Sequence, residues 1–231
     1  MIGSEPVGAV LVAAGRSTRM GFDKLWADLG GRPVLAWGLV ALDACAAIDR
    51  LAVVCAADRF DQVLDLLHRL SMSRSRVRVV VGGERRRDSV QAGLRALDAC
   101  AWVLVHDAAR PFLSESMIQR GLDEVVKCGA CVAALPARDT IKRVADGAVT
   151  ETLPRDQLWT IQTPQLFRRE VVLNALAATD DDATDEAALV ERAGGTVRVF
   201  EGDVNAFKIT TPGDLGLARA LLAYRADLVS R

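Results

Sequence analysis

Apolar and polar positions along the chain fall into two alternating kinds of block, short continuous apolar runs and longer stretches with a helical repeat. Val7–Val12 is a run of small and β-branched residues long enough for one buried strand. The pattern then predicts a helix from about Pro33 to Ala46, a strand over Leu51–Cys55 and a helix over Asp58–Leu70. In that helix Val63, Leu66, Leu67 and Leu70 recur at helical spacing. Strand Val77–Val81, helix Asp88–Leu97, strand Trp102–Val105, helix Glu115–Lys127 and strand Cys131–Leu135 follow. This alternation is that of βαβ units, so the fold class is α/β, a mostly parallel twisted sheet with right-handed crossovers.

The rhythm breaks after Pro136. Residues 138–163 fit no helix, and Asp146-Gly147 reads as a hairpin turn between two short strands. The segment reads as an inserted β arm at about 138–163. Two or three strands do not stabilise themselves, and a second subunit is the expected packing partner. The regular pattern resumes with helices at Arg169–Ala178 and Thr184–Ala193, a strand at Val197–Phe200 and a C-terminal helix Asp214–Ser230. With no internal repeat or linker, residues 1–231 read as one domain carrying an arm.

Composition removes several classes. The net charge of −1 argues against a broad basic face for nucleic acid. No apolar run reaches transmembrane length and no secretory signal is apparent at the start, so the expectation is a cytoplasmic protein without a membrane role. Cys128-Gly-Ala-Cys131 matches C-x-x-C, but it falls where a helix ends and a strand begins rather than at a helix N-terminus. Five cysteines and two histidines offer no zinc spacing, and buried reduced thiols are the better reading.

In such sheets ligands sit beyond the carboxyl ends of the strands. After the first strand come Ala13-Ala14-Gly15 and then Arg16, Arg19 and Lys24. Small residues let backbone N–H groups approach a ligand, and three cations suit a triphosphate. The loop is neither a Walker A loop nor G-x-G-x-x-G, since Ser17 stands where a second glycine is needed. Asp107 ends an apolar strand, and a carboxylate there suits Mg²⁺ bridging phosphate oxygens; a turn aspartate is the plainer alternative. His106 reads as structural. Gly82-Gly83-Glu84-Arg85-Arg86-Arg87-Asp88-Ser89 either approaches a base or caps a helix through Asp88 or Ser89, with the arginines as a solvated turn. The acidic run Asp180–Glu186 lacks the glycine of a calcium loop and reads as a helix N-terminus complementing the dipole.

Taken together, AAGRSTRM…DK, GGERRRDSV, VLVHDAARPF, RDTIKR, LWTIQTPQLF, TDEAALVE and FKITTPGDL resemble the 2-C-methyl-D-erythritol 4-phosphate cytidylyltransferases of non-mevalonate isoprenoid synthesis, over nearly the whole chain. The resemblance implies a Rossmann-like, three-layer nucleotidyltransferase fold. It implies transfer of CMP from CTP to methylerythritol phosphate with Mg²⁺ and release of pyrophosphate. By motif position, Arg19 and Lys24 would bind the triphosphate. Ala13, Ala14, Gly15 and Arg16 would contact the nucleotide, Gly83, Glu84 and Ser89 would read cytosine and ribose, and Asp107 would hold the metal. Thr140 and Arg155, from the arm of the partner subunit of a homodimer, would position the acceptor with Thr163, Thr184, Asn205 and Lys208.

Val12, Ser17 and Asn205 depart from residues usual in that family. The nearest rival is a ribitol-5-phosphate cytidylyltransferase, against which the alanine pair of HDAARPF weighs. A catalytically silent nucleotide-binding regulator would have lost Arg19, Lys24 and Asp107, which are present. A dinucleotide oxidoreductase lacks its second glycine.

Overall fold

A computed structural model of the chain describes residues 2–15, 21–73, 75–180 and 183–224. Among them the strands are β1 (Val7–Ala13), β2 (Asp28–Leu29), β3 (Arg32–Pro33), β4 (Arg50–Cys55), β5 (Val77–Val81), β6 (Trp102–Asp107), β7 (Ala130–Pro136), β8 (Lys142–Ala145), β9 (Ala148–Thr152), β10 (Trp159–Arg168) and β11 (Arg198–Glu201). The helices are α1 (Val34–Ala44), α2 (Phe60–Arg69), α3 (Arg86–Ala96), α4 (Glu115–Cys128), α5 (Arg169–Ala178), α6 (Glu186–Arg192) and α7 (Pro212–Tyr224). Single 3₁₀ turns lie at Lys24–Trp26, Ala57–Arg59 and Arg155–Gln157.

The central sheet runs in the order β11-β7-β10-β6-β1-β4-β5. All its pairings are parallel except those of β10, which lies antiparallel between β6 and β7. Alternation of side chains across the pleat divides the interior into two apolar layers. Ala9, Leu11 and Val53 meet α1, α2, α4 and α7 on one face, through residues such as Leu39, Leu66, Ile118 and Leu222. Val10, Val54, Val105 and Phe167 meet α3, α5 and α6 on the other, through Leu94, Leu176 and Val190. The close seat of α3 needs Gly93, where a Cβ would lie 2.5 Å from Val10 and 2.9 Å from Val54. That contact aims the start of α3 over the end of β1.

Two readings of the sequence need correction. The arm is shorter than 138–163: its free part is the β8–β9 hairpin with the 3₁₀ turn at Arg155, whereas residues 159–163 already belong to β10 in the central sheet. Pro164 conceals that strand, because a proline argues against a central position. The sheet accommodates it with a register shift between Ile161 and Gln165. The turn before α3 is also not a solvated arginine cluster. Arg87 is 8% exposed and donates to the Leu176 carbonyl, and Arg86 points inward. Arg85 alone fits the solvated reading, paired with Asp88 and Asp180 at the surface.

The five cysteines are free thiols. Burial pushes the Cys131 thiol above its usual range, which removes the nucleophilic thiolate a redox pair requires. No helix among the described residues is long and apolar enough to cross a membrane.

Candidate active site

The strand order reverses between β1 and β6, and a cleft opens beyond their carboxyl ends. It holds about 230 Å³ and is lined by Ala14, Gly15, Lys24, Glu84, Asp107 and Lys208, among others. The Gly82-Gly83 bend comes close because the protein's own packing demands glycine there. A Cβ on Gly82 would lie 2.6 Å from Ser89 Oγ and 2.7 Å from the Ala14 side chain. Asp88 accepts from the Arg85 backbone N–H at 3.2 Å and so starts α3, the capping role read for it. Ser89 is buried against the cleft and donates weakly to the Gly83 and Arg85 carbonyls.

Asp107 is the centre of the charge pattern. Its Oδ2 accepts from Lys208 Nζ at 2.6 Å and its Oδ1 from Arg86 Nη2 at 3.1 Å. Burial would push its carboxyl up, but the Arg86 and Lys208 charges outweigh burial and hold it well below the usual carboxylate range. Arg86 gives its other terminal nitrogen, Nη1, to Glu186 Oε1 at 2.5 Å. Glu186 is 1% exposed, and burial pushes its carboxyl upward against the pull of Arg86. Lys24 donates to the Ile209 carbonyl at 2.8 Å across the floor of the cleft.

Behind Asp107 lies a chain of bonds with one consistent proton arrangement. The Arg110 carbonyl only accepts, so His106 Nε2 donates to it at 3.0 Å. His106 Nδ1 is then an acceptor for the Thr163 hydroxyl at 3.0 Å, and Thr163 Oγ in turn accepts the Asp107 backbone N–H at 3.1 Å. The imidazole is neutral. Burial lowers its pKa to about 4, which fits the structural role read for His106.

Of the residues singled out in the sequence, Ala14, Gly15, Lys24, Gly83, Glu84, Ser89, Asp107 and Lys208 converge on this one cleft. Ala13 lies beside it at the end of β1, and Thr163 sits buried beneath Asp107. Thr184 is exposed ahead of α6, and Asn205 donates its backbone N–H to Asp203; neither lines the cleft. Thr140 and Arg155 are exposed on the arm, where Arg155 donates to the Arg138 carbonyl. Arg16 and Arg19, with Ser17, lie outside the described residues. Arg86 and Glu186 are the site residues that sequence reasoning missed.

Asp107 is the buried carboxylate that faces the cleft, and the described residues contain no cluster of three or more histidine, cysteine or acidic side chains suited to a metal. That chemistry fits Mg²⁺ arriving on a polyphosphate, which takes one or two carboxylates and fills its shell with phosphate and water. Each Asp107 oxygen accepts from one cation, Arg86 or Lys208, and keeps lone-pair capacity for another partner.

A family model described as IspD, 2-C-methyl-D-erythritol 4-phosphate cytidylyltransferase, matches residues 7–224. The 2-C-methyl-D-erythritol 4-phosphate cytidylyltransferase of Dehalococcoides mccartyi is 43% identical over 221 residues, covering 95% of this chain and 97% of that protein. The enzyme of the same name from Rhodococcus jostii is 44% identical over 225 residues, covering 95% and 96%. Among solved structures, 4-diphosphocytidyl-2C-methyl-D-erythritol synthase from Anaerococcus prevotii aligns with a TM-score of 0.84 at 31% identity, covering 95% of this chain and 99% of that one.

Proposed function

The chain belongs to the 2-C-methyl-D-erythritol 4-phosphate cytidylyltransferase family and carries out CTP-dependent cytidylyl transfer to 2-C-methyl-D-erythritol 4-phosphate; we propose that the cleft beside Asp107 is where it does so. The observation that carries this reading is the meeting of Lys208 and Arg86 on one buried carboxylate at the sheet's switch point, in a cleft that Lys24 also lines. Ala14 and Gly15 in that cleft, with Ala13 beside it, offer backbone to the nucleotide, and Gly83, Glu84 and Ser89 face the base and ribose. Lys24 binds the triphosphate together with Arg19 and Arg16, further cations of the same loop in sequence. Asp107 would hold Mg²⁺, which when bound neutralises charge on the phosphate oxygens.

The acceptor needs no general base. A phosphate monoester has a second pKa of about 6, so its attacking oxygen is already largely ionised near neutral pH. The acceptor phosphate attacks the α-phosphorus of CTP in line; the new P–O bond forms as the bond to pyrophosphate breaks. The protein's task is orientation and charge neutralisation. Lys24 stabilises the triphosphate side. Lys208, Thr184 and Asn205 belong to the acceptor side, completed by Thr140 and Arg155 from the arm of a second subunit in a homodimer, while Thr163, its hydroxyl committed to His106 and Asp107, supports the site from beneath. What supports the dimer is the hairpin itself, whose β8 and β9 residues are all exposed, including Val144 at 56% and Val149 at 60%.

Pyrophosphate release measured with CTP and Mg²⁺ across a panel of polyol phosphates tests the reading. Methylerythritol phosphate is the expected best acceptor and metal removal the expected loss of turnover. Preference for ribitol 5-phosphate, or full turnover without divalent metal, would overturn it.

A further inference from the structure

Glu186 is unusual in its setting. A site for a polyanion gains from positive charge, yet a carboxylate is almost wholly buried within one residue's reach of Asp107. One oxygen takes Arg86; the other, Oε2, is buried without a hydrogen-bond partner among the described residues. Burying an incompletely paired carboxylate is costly, so something other than charge must explain its place.

Its aim is fixed from outside the cleft. Asp185 caps α6 by accepting from the Ala188 N–H at 2.9 Å. Gln165 on β10 grips the same turn twice, donating to Asp185 at 2.9 Å and accepting from the Ala187 N–H at 3.2 Å. The first residue of α6 is thereby pinned to the central sheet. From there Glu186 takes Arg86 Nη1 at 2.5 Å, leaving Nη2 to reach Asp107 at 3.1 Å. A guanidinium facing one carboxylate favours a two-bond fork, which would add a second cationic donor to Asp107 Oδ2, where Lys208 already sits at 2.6 Å.

We propose that Glu186 is a positioning residue that holds the Arg86 guanidinium divided between two carboxylates, so that it does not close on Asp107 as a fork. The inference rests on the reading that Asp107 holds the divalent ion. Glu186 touches neither substrate nor metal; it acts through Arg86 and keeps lone pairs of Asp107 available.

The test compares Glu186→Met and Glu186→Gln with wild type. Methionine fills the volume without an acceptor; losing one partner of a buried ion pair is costly, so this variant is expected to melt below wild type, and binding is read well below its transition. Gln keeps an acceptor for Arg86. The readout is Mn²⁺ binding in the presence of CTP without acceptor, followed by water-proton relaxation, so that no turnover is involved. Outer groups that orient a metal ligand are typically worth 10–100-fold in affinity, so Glu186→Met should weaken Mn²⁺ by about tenfold. Glu186→Gln should stay within about twofold of wild type, and CTP binding without metal should be unchanged. Adding Arg86→Ala to Glu186→Met should recover most of the lost affinity, because no guanidinium is left to close on Asp107. Wild-type Mn²⁺ affinity in Glu186→Met, or equal losses in the Met and Gln variants, would overturn the proposal. Wild-type protein that binds CTP alike with and without Mn²⁺ would instead overturn the reading of Asp107.

Discussion

Asp107 and Arg155 both carry charge at ends of elements, but their surroundings differ. Asp107 is 8% exposed, anchored by a backbone bond to Thr163 and paired through both oxygens with cations from α3 and from the segment after β11. Arg155 is exposed beside a hairpin whose residues all face solvent. The nucleotide half of the site is thus organised by one chain's own core, with its electrostatics set before any ligand arrives. The acceptor half is left for another surface to complete. A mutation in the first region should act within a protomer, and one in the second across subunits.

The largest expected effect lies in the first region. Lys24→Ala should lower kcat in pyrophosphate release by about 10²–10³-fold, the scale of losing one charge-stabilising donor, with an unchanged melting temperature. Near-wild-type turnover would remove Lys24 from this role.

Acid should expose how strongly the buried side is built. Unfolded His106 takes a proton near its ordinary value of 6.5, while the folded ring resists until about 4. The unfolded state therefore binds more protons between those values, and stability is complete above the upper one and falls as pH drops toward the lower. The full loss is about 3 kcal/mol. Melting curves from pH 7 to 4.5 should show this decline, and His106→Gln should flatten it.

Arg155→Ala should reduce kcat/KM for the acceptor about tenfold while leaving the KM for CTP unchanged, as expected for loss of one charge-assisted phosphate contact. Mixing Lys24→Ala and Arg155→Ala chains under subunit exchange should restore roughly a quarter of wild-type activity, because half the dimers are mixed and one of their two sites is intact. No recovery would place Arg155 in the same chain's site. The smallest effect belongs to the hairpin's apolar residues. Val144→Asp with Val149→Asp should change the monomer's stability by less than about 0.5 kcal/mol yet lower the oligomeric mass seen by light scattering.

The same contrast explains what the sequence made legible. Strands buried on both faces announce themselves as apolar runs, so β1, β4 and β6 stand near their expected bounds and Ala14, Lys24 and Asp107 could be placed on one rim. Lys208 follows β11 and was legible by the same logic. Arg86 and Glu186 are a hundred positions apart and meet only through the packing of α3 and α6, so periodicity carries no trace of their pairing. β10 was hidden by Pro164 and by the two glutamines flanking it. Gln162 and Gln165 are buried because each satisfies loop backbone: Gln162 serves Asp203, and Gln165 serves the start of α6.

β10 also sets which lengths of chain are free to vary. From Trp159, paired with Pro136 at the root of the hairpin, it pairs regularly to Ile161, and the register shift that follows seats Thr163 behind Asp107. Side chains on a strand alternate sides, so one residue added or removed between those points would turn the Thr163 hydroxyl to the opposite face. The hairpin's tip, where Asp146 and Gly147 both take positive φ, joins strands that pair only with each other and so sets no side chain of the cleft. Lengthening should therefore be tolerated at the tip and refused at the root.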